Sequence, residues 1–299
     1  MTGLEGVAAA AAAKATTEVV KVGSEAIKAD RELRKAERLA LLEEVKNSQG
    51  FKDAAAVRGK KLAVREQMGL ALFAPLARMF RIRQDYFEAD FATDFAERIA
   101  DVPEENLQPP KPSVAGPAME GLGYSLDEPE LKQLYLELLA RAADDRSADL
   151  AHPSFAEVIR QMTSEEAALL KRFRWTAGQQ SPMVSLKLHK AGGTGSKTIA
   201  TNVIDYRDLA TGQILWDEKI PVYLDNWQRL GLVELVDGTY LTADGMYDWV
   251  EGRPEKAAVD RIAARQAEPH ETEVDKGVVR VTNFGALFAR AVGVAPHTP

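Results

Sequence analysis

The chain has 299 residues, 45% hydrophobic and 28% charged, the balance of a globular protein long enough for two or three cores. It has no cysteine, which excludes disulfides, thiolate metal sites, iron–sulfur clusters and a cysteine nucleophile, and fits a reducing cytoplasm. A net charge of −7 argues against attraction of the whole surface to nucleic acid.

Near the N-terminus, residues 7–13 are apolar but small, and Lys14 follows at once, which predicts no secretory leader. Residues 16–46 have the spacing of a long helix. Val22, Ala26, Ala29, Leu33, Ala36 and Ala40 alternate steps of four and three, a coiled-coil-like seam. A seam of alanine requires close approach. It reads as one arm of an intramolecular helical hairpin, with a dimer seam as the alternative. Asn47-Ser48-Gln49-Gly50 breaks it.

A second helical region is expected over 53–99, with Met68, Leu72, Leu76, Phe80, Phe87, Phe91 and Phe95 near helical spacing. Gly69 and Pro75 predict a kink or two shorter helices. The longest apolar run outside alanine-rich segments is 68–77, about half of the ~20 residues a membrane-spanning helix needs. Residues 58–83 hold seven basic side chains (Arg58, Lys60, Lys61, Arg65, Arg78, Arg81, Arg83) against one acid, Glu66. Interleaved with Leu72, Phe73, Leu76 and Phe80, they form a candidate contact for an anionic membrane surface. The competing reading packs these apolar residues into an N-terminal core.

Pro103, Pro109, Pro110, Pro112 and Pro117 predict an extended connector and a domain boundary. Helices are expected over 117–124 and 130–143, the second with Leu131, Leu134, Tyr135, Leu138 and Leu139 on one face. Ser154 with Glu157, and Thr163 with Glu166, are helix-start pairs. Residues 184–188 and 198–204 alternate like two strands of a hairpin, with a glycine-rich turn between them. A helix over 221–230 precedes a second short hairpin, 232–241, turning at Asp237-Gly238. Helices over 242–250 and 255–267, a strand over 278–281 and a helix over 284–292 complete the chain. The order helix, helix, hairpin, helix over 163–250 is that of a winged-helix module.

The expected fold class is therefore mainly α with a smaller α+β part. A helical arm (1–50) and a basic, amphipathic helical region (51–101) precede a Pro-rich connector with helices (102–154). A winged-helix-like α/β region (155–293) and a loose tail (294–299) follow.

No ordered catalytic constellation is visible. The turn Ala191-Gly-Gly-Thr-Gly-Ser-Lys197-Thr198 lacks both glycines that a phosphate loop places at its first position and before its lysine, and no helix pattern follows it. His152, His189, His270 and His297 have no metal-ligand spacing. The corner His152-Pro153-Ser154-Phe155 reads as structural, an imidazole hydrogen-bonding a turn. Residues 155–251 hold ten basic side chains and thirteen acids, too few cations for phosphate contacts to drive duplex binding. No catalytic residue, cofactor or metal is expected, and neither nucleic acid nor a small-molecule substrate is favoured as a partner.

The words VPEENLQPPKPSVAGPAMEGLGY, the 131–139 helix, AHPSFAEVIRQMTSEEAALL, VYLDNWQRLGLVEL and GVVRVTNFGALF follow one another between residues 96 and 292. In this wording and order the chain resembles the Abi-alpha (abortive infection alpha) family of bacterial proteins. The resemblance implies phage defence, in which an infected cell stops growing before phage matures. It implies no catalytic residue, cofactor or substrate, and His152, Pro153 and Ser154 match a family phrase without chemistry attached. The expectation is a cytoplasmic protein, peripheral at the inner membrane, acting without catalysis. It would work through a protein partner or self-association, and through membrane contact by its N-terminal half. A nucleic-acid-binding winged-helix regulator or adaptor is the alternative.

Overall fold

The computed structural model describes residues 59–69, 71–73, 84–208 and 211–295. The chain divides into two units, Met1–Val64 and Arg65–Pro299. In the first, residues 59–64 are helical; the expected arm over 1–50 lies outside the described residues.

In the second unit, residues 65–69 and 71–73 are helical. Helices α1 (Gln84–Ala89) and α2 (Phe91–Arg98) follow. Phe87, Phe91 and Phe95 are buried, as the stripe required, and Phe73 joins them edge-on at 5.4 Å from Phe91 and 4.9 Å from Phe95. Such edge-to-face pairs add to the free energy of area burial.

The Pro-rich segment departs from the extended path expected of it. Pro112 opens α3 (Pro112–Tyr124), where the missing N–H costs nothing, and Pro117 lies inside the helix. Pro117 removes the bond to the carbonyl of Ser113. Burial of Val114, Ala115, Ala118, Met119 and Leu122 on the core face offsets that loss. Upstream, the connector is laid against the end of α4 (Pro129–Ala143). Gln108 N–H donates to Ala143 O and Asp145 N–H to Asn106 O, each at 2.9 Å. One hydrophobic core then runs from Phe73 through this connector to Val292.

Helix α3 meets α4 closely because position 121 is glycine: a Cβ there would lie 2.3 Å from the Tyr135 ring. Tyr135 in turn donates its hydroxyl to Ala156 O, tying α4 to α5 (Phe155–Arg160). Helix α6 (Ser164–Leu170) starts with the expected capping box: Thr163 Oγ1 accepts from Glu166 N–H, and Glu166 accepts from Thr163 N–H at 2.8 Å.

Strands β1 (Gln180–Lys190), β2 (Ser196–Ile204), β3 (Val233–Asp237) and β4 (His270–Val281) form an antiparallel sheet in the order β2-β1-β4-β3. The first expected hairpin is β1–β2, turning through the glycine-rich segment. The second is not formed. After α7 (Ile220–Arg229), β3 pairs with β4, Val233 opposite Val281 and Asp237 opposite Gly277. Residues 239–241 form no strand, and 242–250 yield only a short 3-10 helix, Asp248–Gly252. The 232–241 wing is thus replaced by a non-local pairing, because β4 offers twelve residues of extended partner. The fold is α+β, with a four-stranded antiparallel sheet.

One face of the sheet joins the main core through Met183, Ile204, Val233, Val279 and Val281. The other carries Val184, Leu186 and Val203, packed with Tyr247, Val250 and Val259; Val259 comes from α8 (Pro254–Ala264). Helix α9 (Asn283–Ala291) follows β4 and adds Ala286, Phe288 and Ala289 to the main core. Its first turn packs so tightly that a Cβ on Gly285 would sit 2.0 Å from Leu232 O.

Candidate functional site

The His152 corner is built by its own turn. Ser154 N–H donates to His152 Nδ1 at 3.2 Å, and Ser154 Oγ lies 2.7 Å from the same nitrogen. Because Nδ1 accepts the amide, a neutral ring carries its proton on Nε2, and the serine hydroxyl donates. The ring packs against Phe155 and Phe284 at 5.6 and 6.1 Å between centroids. Phe155 is buried and Pro153 exposed. The Ser154–Glu157 cap does not form; Glu157 instead takes a bidentate bond from Arg160. The Ser–His distance is that of a nucleophile and its base, but it closes a three-residue turn. Among the described residues no carboxylate orients the ring.

The basic stretch divides. Lys60 and Lys61 are exposed. Arg65, by contrast, points home: its guanidinium donates to Ala100 O and, at 2.9 Å, to Val102 O. Phe73 is 1% exposed, and Leu72 packs partly buried against the same core. Arg65 and Phe73 are thus engaged within the fold. Arg58, Leu76, Arg78, Phe80, Arg81 and Arg83 lie outside the described residues. Among the described residues, no helix is long and apolar enough to cross a membrane, and no group of acidic or histidine side chains could hold a metal.

Asp225, Asn226, Gln228 and Arg229 of α7 are occupied inside the fold. Asn226 donates to Gln161 O and to Glu166 Oε1, at 2.9 and 2.7 Å. Arg229 bonds Asn226 Oδ1 and Gln161 Oε1, and Asp225 accepts from Asn202. Gln228 Oε1 accepts Leu235 N–H at 2.8 Å, covering a donor on the free side of edge strand β3.

Strand β2, the other edge, pairs with β1 alone among the described residues. Beside it the segment 211–219 presents Trp216, 59% exposed, and Val222 at the start of α7 is 63% exposed. A groove of about 300 Å³ runs between residues 199–204 and 216–221. Its base is Arg253, 1% exposed. Arg253 grips Glu255 with two bonds, of 3.0 and 2.6 Å, and donates to Tyr206 O and Leu215 O at 3.1 and 2.8 Å. One buried guanidinium thus fixes both flanks of the Trp216 loop to α8. Nothing in the sequence around Arg253 announced it, since its four acceptors come from three separate segments.

A second cleft, about 580 Å³, lies where the end of α6, the start of β1 and the end of α9 meet. Phe173, Arg174, Trp175, Gln179 and Arg290 line it. Trp175 is held by its indole N–H, which donates to Leu170 O at 2.7 Å.

The sequence model for abortive infection alpha matches residues 83–292, most of the chain. The chain belongs to the abortive infection alpha family. No curated protein and no solved structure matches it. The abortive infection alpha span includes the His152 corner, the Trp216 groove with Arg253, and both arginines of the second cleft, Arg174 and Arg290. Lys60, Lys61 and Arg65 precede it.

Proposed function

We propose that this protein is a bacterial phage-defence effector that halts the infected cell through a protein contact and without chemistry of its own. Membership of the abortive infection alpha family carries the defence role. The contact is assigned to the β2 edge. Its occupant is an extended segment of a partner protein, added as a fifth strand beside β2 with an apolar side chain against Trp216. Three features support this reading. Strand β2 has a free side among the described residues. The groove follows six consecutive residues of that strand. A tryptophan more than half exposed is held in place by a buried, four-bonded arginine, which reduces the ordering cost of binding.

The winged-helix reading with nucleic acid as target has less support. The side chains of α7 that would meet bases are bonded to Gln161, Glu166 and Leu235. A membrane contact by the N-terminal half retains Lys60 and Lys61 among the described residues, since Arg65 and Phe73 are engaged elsewhere.

A single-burst experiment tests the role. Cells expressing the chain are infected at high multiplicity, and growth and phage yield are followed. Early arrest with a reduced yield is the expected result; undiminished yield at normal expression, across a panel of phages, overturns it.

A further inference from the structure

We infer that the cleft between α6, β1 and α9 binds a small organic phosphate of the nucleoside monophosphate class. Arg174 and Arg290 both line this cleft, and no acidic side chain does. Neither guanidinium has an ion pair or hydrogen bond among the described residues. Their neighbours are different: Lys171 bonds Glu130 and Gln133, and Arg172 bonds Arg207 O and lies 5.1 Å from the Tyr206 ring centroid. In a chain with net charge −7, two unpaired arginines sharing one concave site form a local exception. Each planar fork matches two oxygens of an anion, and two forks match the double charge of a phosphate monoester better than a single carboxylate.

The remaining wall suits a flat ring. Trp175 is fixed by its bond to Leu170 O and packs on Trp227 at 5.5 Å; Phe173 meets the same Trp227 at 5.1 Å. Trp227 is fully buried, so this aromatic wall is rigid before any ligand arrives. A volume of about 580 Å³ is in the range of small-molecule sites and holds a mononucleotide. The cleft shares no lining residue with the Trp216 groove, so this inference stands or falls independently of the protein-contact reading.

Titration calorimetry on the full-length protein tests it, with AMP and UMP as probes and adenosine and inorganic phosphate as controls. Saturable binding of a nucleotide is expected, with both controls at least about tenfold weaker. Arg174→Ala and Arg290→Ala should each weaken nucleotide binding by roughly tenfold or more, the loss of one charge-assisted contact. Arg174→Lys and Arg290→Lys, which keep charge and lose the fork, should fall between. Since neither side chain makes a bond within the described fold, melting temperatures of the variants should stay near that of the parent. No saturable nucleotide binding by the folded parent overturns the proposal, as does unchanged binding in both alanine variants. Inorganic phosphate binding as tightly as the nucleotides overturns the assignment of a ring-bearing ligand.

Discussion

The helical side of the molecule and the rim of its sheet use polar side chains in opposite ways. On the helical side several point inward and are matched: Glu166 serves Thr163 N–H and Asn226, Tyr135 serves Ala156 O, and Arg65 serves two carbonyls. Around the sheet, Trp216, Arg174 and Arg290 are left without such partners among the described residues. Unmatched groups on a rigid frame are what a binding surface needs. Matched groups in a core are what a fold needs.

Breaking the frame should give the largest effects. Gly285→Ala drives a Cβ into Leu232 O, backbone against backbone, where neither side can yield cheaply. A loss of about 3–4 kcal/mol, or failure to fold, is expected in urea denaturation. Arg253→Met leaves Glu255 and two carbonyls without their donor. It should cost about 3 kcal/mol, and it should free the Trp216 loop, seen as faster amide exchange over 205–216.

A smaller effect should appear only in acid. The Arg146 guanidinium and backbone N–H hold the Asp144 carboxyl below its ordinary range. A depressed folded-state value stabilises the fold at pH above the unfolded carboxyl's pKa, about 3.9, and that stabilisation is lost as pH falls through the lower folded value. Asp144→Asn should therefore cost about 1 kcal/mol at neutral pH and flatten the fall in stability below about pH 4, measured by pH-dependent melting. At the rim, Trp216→Ala should change stability by no more than about 0.5 kcal/mol, because the side chain is mostly in water.

What the sequence revealed follows the same division. Local signals survived folding: the apolar stripe of α4, the Thr163–Glu166 box and the glycine-rich turn between β1 and β2. Long-range pairings did not show. In β4, Glu271, Glu273 and Asp275 alternate with Thr272, Val274 and Lys276, too polar a pattern to read as a strand, and the sequence pairs β3 with its nearest neighbour instead. The prolines of α3 suggested an extended path, and core burial overrode that preference. The two clefts were invisible for a related reason. Residues 174 and 290 line one cleft, and 253 bonds 206 and 215 at the other; no short motif spans such gaps.

The central claim is that defence runs through the Trp216 edge, and it is tested most directly by comparing phage yield per infected cell for Trp216→Ala and the parent chain at equal expression. Loss of the protective drop in yield, with the variant's melting temperature near the parent's, is the result expected. Full protection by the folded Trp216→Ala chain would contradict it.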